Sequence, residues 1–348
     1  MELKSMRTFF KAAALFLSTT SLLACAPSQN NEQIVNIYSE RHYDIDQVLY
    51  DQFEAETGIK VNVIQSSADD LIVRMQNEGA DTSADILIVA DAGRLERAKA
   101  LDLLQSFESN TLNNNVPANL RDDERFWYGL TTRARVIVYH VDRVNPSELS
   151  TYEDLTSPKW KNRLVMRSST SLYNQSFTSA YYAINGEAKT LELIRGLVAN
   201  LAQDPRGNDR DQARFVASGI ADVAIMNTYY LGRMLTSTDV AEKEVAAKIG
   251  VFFPNQLTTG THVNVSGAGI SKHAKNRANA IKLLEFLSGE EAQDDFANVN
   301  FEYPVNPRVE ANDLLKSWGS FKAQDVNLSV LGEFNTKASM LMNEGGWR

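Results

Sequence analysis

Short β-branched runs alternate with amphipathic stretches along most of this chain, and that alternation restricts it to an α/β architecture. The first run is Ile34-Val35-Asn36-Ile37-Tyr38. A helical pattern follows with Ile45, Val48, Leu49 and Phe53 on one face, and Gly58 is placed to stop it. Val61 to Ile64 reads as a second strand, while Leu71, Ile72 and Met75 mark a second helix. Asp85 to Ala90 is an almost continuous apolar run, as a strand covered on both faces requires.

A second cycle opens at Arg133 to Tyr139 and continues through Leu164-Val165-Met166. Helices are expected from Leu172, from Glu187 to Leu201 and over 209–218, with a buried strand over 221–226. Ile249 to Pro254 then leads to His262 to Ile270, and the last third is helical, with Ala280, Leu283, Leu284 and Leu287 as one stripe. Two cycles of this kind predict mostly parallel sheets in two lobes, with a ligand cleft between them. Extended crossings near 129–140 and 251–266 interleave the lobes. The expected N-lobe is 31–130 plus 262–303, and the expected C-lobe is 131–261 plus 304–348.

Lys4, Arg7 and Lys11 precede an apolar run from Ala12 to Leu23 that is too short to span a bilayer, so residues 1–24 read as a secretory signal peptide. Ala24-Cys25 also fits a lipoprotein cleavage site, at which Cys25 would carry lipid. The expected location is the periplasm. Cys25 is the sole cysteine, which excludes an internal disulfide, an iron–sulfur cluster and a cysteine nucleophile together. The net charge is −9, and the leader is basic, so the remainder is more acidic still. That balance argues against nucleic acid as a partner.

Ligands of open α/β sheets bind where strands turn into helices. After the first strand come Arg41, His42, Tyr43 and Asp44. After Leu164-Val165-Met166 come Arg167, Ser168, Ser169, Thr170, Ser171 and Tyr173. After the 221–226 strand come Asn227, Thr228, Tyr229 and Tyr230. Three separate turns thus present tyrosine. A phenol has a pKa near ~10, so it ligates a metal only if the metal displaces its proton. A small trivalent cation such as Fe(III) can do so, whereas calcium and magnesium prefer carboxylates and zinc prefers imidazole or thiolate. Four phenolates on Fe(III) leave about one surplus negative charge, which Arg133, Arg135 or Arg233 could offset. A water or His42 could fill a fifth position. A Tyr-Tyr pair is more often plain packing, and the chain contains its own comparison in Tyr181-Tyr182, inside a helical pattern.

Tyr38-Ser39-Glu40-Arg41-His42-Tyr43, the crossing Thr132 to Tyr139, Asn227-Thr228-Tyr229-Tyr230 and Gly260 to Gly267 together resemble the periplasmic ferric-iron-binding proteins of ABC transporters, in particular the cyanobacterial FutA/IdiA type. The resemblance implies a type II periplasmic-binding fold that closes on one Fe(III) and hands it to an inner-membrane ABC permease, as a monomer. By position, it implies Tyr229 and Tyr230 as paired ligands, Tyr43 and Tyr173 as the additional tyrosines, and His42 as a histidine that ligates in some members. A same-fold binding protein for an organic or oxyanion solute is the alternative. An enzyme is not expected: the chain lacks a dinucleotide loop, a nucleophile elbow and a His-Glu-x-x-His motif.

Overall fold

The computed structural model describes residues 33–348, so the leader and Cys25 lie outside the described residues. The first cycle runs β1 (Ile34–Ser39), α1 (Asp44–Thr57), β2 (Lys60–Gln65), α2 (Ala68–Glu78), β3 (Ile86–Val89), α3 (Ala92–Ala100), β4 (Leu104–Gln105) and α4 (Asn110–Asn115). The second comprises β5 (Trp127–His140), β6 (Leu164–Val165), α5 (Leu172–Ala199), α6 (Asp209–Ala217), β7 (Val223–Asn227), α7 (Thr228–Leu235), α8 (Val240–Ala246) and β8 (Ile249–Phe252). The chain then forms β9 (Val263–Ser271), α9 (Arg277–Leu287), α10 (Glu290–Asn300), β10 (Tyr303–Pro304), α11 (Asp313–Ser317), α12 (Val330–Glu333) and α13 (Asn335–Glu344).

β5 is the element that joins the two halves. Its first part, Trp127 to Ala134, pairs with β9, and from Arg135 onward it pairs with β7 and β8. The strand order is β2-β1-β3-β9-β5-β7-β6, with β4 on β9 and both β8 and β10 on β5. The expectation of mostly parallel sheets is overturned. Among the strands of the described residues, parallel pairing is confined to β1 with β2 and β3, and to β6 with β7, apart from isolated bridges. All pairings of β5 and β9 are antiparallel. The reason is topological: a strand that returns from the other half meets its neighbours head to tail, and parallel order survives only where a helix carries the chain back.

Each half is covered on both sheet faces, which is what two lobes require. Ile45, Leu49 and Phe53 of α1 and Leu283, Leu284 and Leu287 of α9 cover one face of β1–β3, while Leu71, Ile72 and Met75 of α2 and Leu95 of α3 cover the other. On β7, Phe177, Leu193 and Ile194 of α5 with Leu341 and Met342 of α13 form one cover, and Ala213, Val216, Leu231 and Met234 form the second. Double coverage explains why β3 and β7 are buried throughout. Leu328 and Leu331 pack with α3 and Trp127, so the stretch beside α12 rests on the first half. Helix α1 ends at Gly58, left-handed at φ 69°. Gly186, at φ 76°, breaks α5 where the sequence divides it into two helical stretches.

Candidate metal centre

The tyrosines of all three turns meet. Tyr43 caps α1, Tyr173 lies in the first turn of α5, and Tyr229 and Tyr230 lie in the first turn of α7. Tyr173 Oη is 3.1 Å from Tyr229 Oη, and Tyr43 Oη donates to Tyr229 Oη at 3.4 Å. The ring of Tyr230 stacks on Tyr229 at 4.2 Å, and Tyr43 meets Tyr229 edge-on at 6.2 Å. Oxygens bound to one small cation at about 2.0–2.1 Å are separated by roughly 2.8–3.4 Å, depending on whether the geometry is octahedral or tetrahedral. The hydroxyls already stand at that spacing. Among the described residues, no group of three or more His, Cys, Asp or Glu side chains is placed to hold a metal.

The sequence builds this convergence locally. Asp46, in the first turn of α1, accepts from Tyr43 N at 3.1 Å and from Arg41 Nε at 2.9 Å, which fixes the turn that carries Tyr43. Arg41 is buried and also donates to Glu302, whose carboxylate accepts from Thr131, Ser266 and Asn300. Gly232 permits α7 to lie against Phe301, since a β-carbon there would stand 2.6 Å from Phe301 Cβ. That approach seats Phe301 in one apolar cluster with Tyr229. Arg233 donates to Asn300 at 2.9 Å, tying α7 to the same segment.

Five guanidiniums surround the rings. Arg133, Arg135 and Arg167 lie 5.5, 5.9 and 5.1 Å from the Tyr173 ring centre. Arg233 and Arg41 lie 4.4 and 5.2 Å from the ring centre of Tyr43. The sequence pointed to Arg133, Arg135 and Arg233, and the structure places all three beside ligand-candidate rings. It missed Arg41 and Arg167, although each stands in the same turn as its tyrosine. It also missed the acids: Asp46 and Glu302 on Arg41, Asp209 on Arg135 and Arg167, and Glu40 beside Arg133. Five guanidiniums thus stand against the carboxylates of Asp46, Glu302 and Asp209, while burial raises Glu40 above the usual carboxylate range. His42 is exposed, with its ring 5.0 Å from that of Tyr43 and its Nδ1 3.3 Å from the Glu40 carbonyl.

Burial pushes every shifted phenol upward. Tyr43 is raised to about 12, by burial first and then by the charges of Tyr230 and Glu302, against the Tyr229 hydrogen bond and Arg41. Tyr173 is held well above its ordinary value by burial and by Tyr230 and Tyr43, with Arg133 opposing. Tyr229 is likewise held high by burial and by the charges of Tyr173, Tyr230 and Tyr43. These phenols therefore stay protonated at neutral pH unless a strong cation takes the protons' place. A cavity of about 320 Å³ adjoins Tyr173 and Tyr230, lined also by Glu40, Arg167, Ser168 and Ser171. Ser171 Oγ and Arg167 Nε are buried there without a hydrogen-bond partner.

Two doubly covered sheets joined by crossing strands, with side chains from both converging between them, define a two-lobed solute-binding protein. The profile described as "Bacterial extracellular solute-binding protein" matches residues 81–326, and the chain belongs to that family. It is 47% identical over 323 residues to Iron uptake protein A1 of Synechocystis, covering 93% of this chain and 90% of the relative. Iron uptake protein A2 of the same organism is 46% identical over 348 residues, covering 99% of each. The solved structure of Trichodesmium FutA (IdiA) with iron and citrate superposes with a TM-score of 0.88 at 48% identity, covering 90% of this chain and 100% of the other.

Proposed function

We propose that this protein captures Fe(III) in the cleft between its lobes and delivers it to an ABC permease, with Tyr43, Tyr173, Tyr229 and Tyr230 as phenolate ligands. The spacing of the hydroxyls carries the reading: three phenols from two sheets lie 3.1 and 3.4 Å apart in a nest of guanidiniums. Four phenolates with one Fe(III) carry a net charge of −1, which the excess of guanidiniums around the rings offsets. Arg133, Arg135 and Arg233 serve that balance together with Arg41 and Arg167. A water or His42 completes the coordination. Iron binding replaces phenol protons, and the two lobes close about β5 and the 251–266 crossing because the metal bonds to both. The protein acts as a monomer in the periplasm, reached through the 1–24 leader, with Cys25 as a lipid anchor.

The cavity at Arg167 and Ser171 favours a second reading, in which the solute is an organic molecule or an oxyanion. Its size is at the lower end for small-molecule sites, and it offers unpartnered donors. Titration of the metal-free protein with ferric citrate separates the two. Tyrosinate bound to Fe(III) gives a visible charge-transfer band that Tyr229→Phe and Tyr230→Phe reduce. A colourless wild-type complex, or a band unchanged in both variants, overturns the tyrosine assignment.

A further inference from the structure

Asp209 is fully buried at the start of α6, yet capping of that helix falls to Asn208, which accepts from Asp211 N. The carboxylate of Asp209 instead joins the two turns that bear tyrosine in the second sheet. Its Oδ1 accepts from Asn227 N at 3.1 Å, two residues before Tyr229, and from Arg135 Nη1 at 3.5 Å. Its Oδ2 accepts from Arg167 Nη1 at 2.5 Å, in the turn before Tyr173. Arg135 also donates to Asn174 Oδ1, and Asn174 Nδ2 donates to the Arg167 and Ser168 carbonyls at 2.9 and 3.0 Å. Trp347 Nε1 holds the Arg167 carbonyl from outside at 2.9 Å.

We infer that Asp209 is a positioning residue for metal capture, fixing the Tyr173 turn to the Tyr229-Tyr230 turn. This rests on the tyrosine reading above. Arg135 and Arg167 both lie beside the Tyr173 ring and repel each other, and the carboxylate that bonds to both lets them stay. Without it, Arg135 and Arg167 separate, and the Tyr173 turn moves relative to α7. Asp222, less buried, provides a control at the opposite end of β7. It too bridges two arginines, accepting from Arg143 Nε and Arg163 Nε at 2.6 Å each, but no tyrosine turn hangs on it.

The test uses the full chain as Asp209→Asn, Arg167→Gln and Asp222→Asn, measuring ferric affinity against citrate and charge-transfer absorbance per bound iron. Asp209→Asn and Arg167→Gln are expected to weaken iron binding roughly 10–100-fold, the range for groups that orient a ligand, and to lower the absorbance per iron. Asp222→Asn stays within about twofold on both counts, as expected for a site sharing no partner with the cleft. Wild-type affinity and absorbance in Arg167→Gln and in Asp209→Asn overturn the inference, as does an equal loss in Asp222→Asn. If Asp209→Asn does not fold, Arg167→Lys decides, since it keeps the charge beside the iron but loses the guanidinium contact with Asp209: a lowered absorbance per iron supports the inference, and wild-type affinity and absorbance overturn it. A wild-type protein with no band instead sinks the tyrosine reading itself, so the two failures are distinct.

Discussion

Tyr181-Tyr182 and Tyr229-Tyr230 are the same dipeptide in one chain, and the structure puts them to different uses. The first pair lies midway along a helix, so its members diverge. Tyr181 turns into the core 6.4 Å from Phe177, and Tyr182 packs on Phe334 at 5.1 Å. The second pair opens a helix directly after a buried strand, and its rings stack 4.2 Å apart beside two further tyrosines. Their electrostatic surroundings differ in sign as well. Burial raises the Tyr181 phenol first, and then Glu153 and Glu192 push it higher, whereas the cleft phenols have guanidiniums at their rings. A tyrosine pair becomes a candidate metal site through where the backbone turns and which charges surround it, not through its own composition.

The largest test of that contrast is substitution at both pairs. Tyr229→Phe or Tyr230→Phe should weaken ferric binding by more than about 100-fold, beyond what loss of an orienting group alone costs, while Tyr181→Phe and Tyr182→Phe leave it unchanged. Competition against citrate measures both, and equal losses at the two pairs would break the comparison.

Acid sharpens it further. Because burial and mutual repulsion hold Tyr43, Tyr173 and Tyr229 protonated, each phenol that loses its proton to iron contributes about a tenfold fall in affinity per pH unit as pH drops. Affinity should therefore fall more than tenfold between pH 7 and pH 6, and a flat profile would mean that phenols are not the ligands.

The structural pair's neighbourhood predicts a different pH response. Phe177 also touches His262, 5.8 Å away, and His262 is lowered to about 3 by burial first, with Arg135 and Arg133 adding to the effect and the Gln324 bond opposing it. A histidine depressed in the folded state stabilises the protein above its unfolded pKa near ~6.5, and that stability is lost as pH falls toward the folded value. The loss should reach about 1.4 kcal/mol per pH unit in chemical denaturation of the metal-free protein. His262→Gln should flatten that slope. The smallest effect is expected at His42, which is exposed: His42→Ala should change ferric affinity only several-fold, since a water can take its place. A loss as large as that of Tyr229→Phe would make it a principal ligand.

Much of the candidate site's convergence was legible because its parts are local. Tyr43, Tyr173 and Tyr229-Tyr230 each follow a β-branched run, and strand-to-helix turns face the cleft whatever the rest of the chain does. Strand direction was not legible, because a two-residue period is the same for parallel and antiparallel neighbours, so β5 and β9 came out reversed. The buried acids were hidden for another reason. Asp209 begins a helix, where an acid is favourable in any protein, and its partner Arg167 is 42 residues away. Glu302 meets Arg41 across 261 residues, beyond the reach of any local pattern.

The most direct measurement is the structure of the iron-loaded protein. One Fe(III) is expected there, bonded to the phenolate oxygens of Tyr43, Tyr173, Tyr229 and Tyr230 at about 2.0 Å, the distance typical of small hard cations, with the Tyr43–Tyr229 and Tyr173–Tyr229 hydrogen bonds gone. Iron seated on other side chains, with those hydroxyls still bonded to one another, would contradict it.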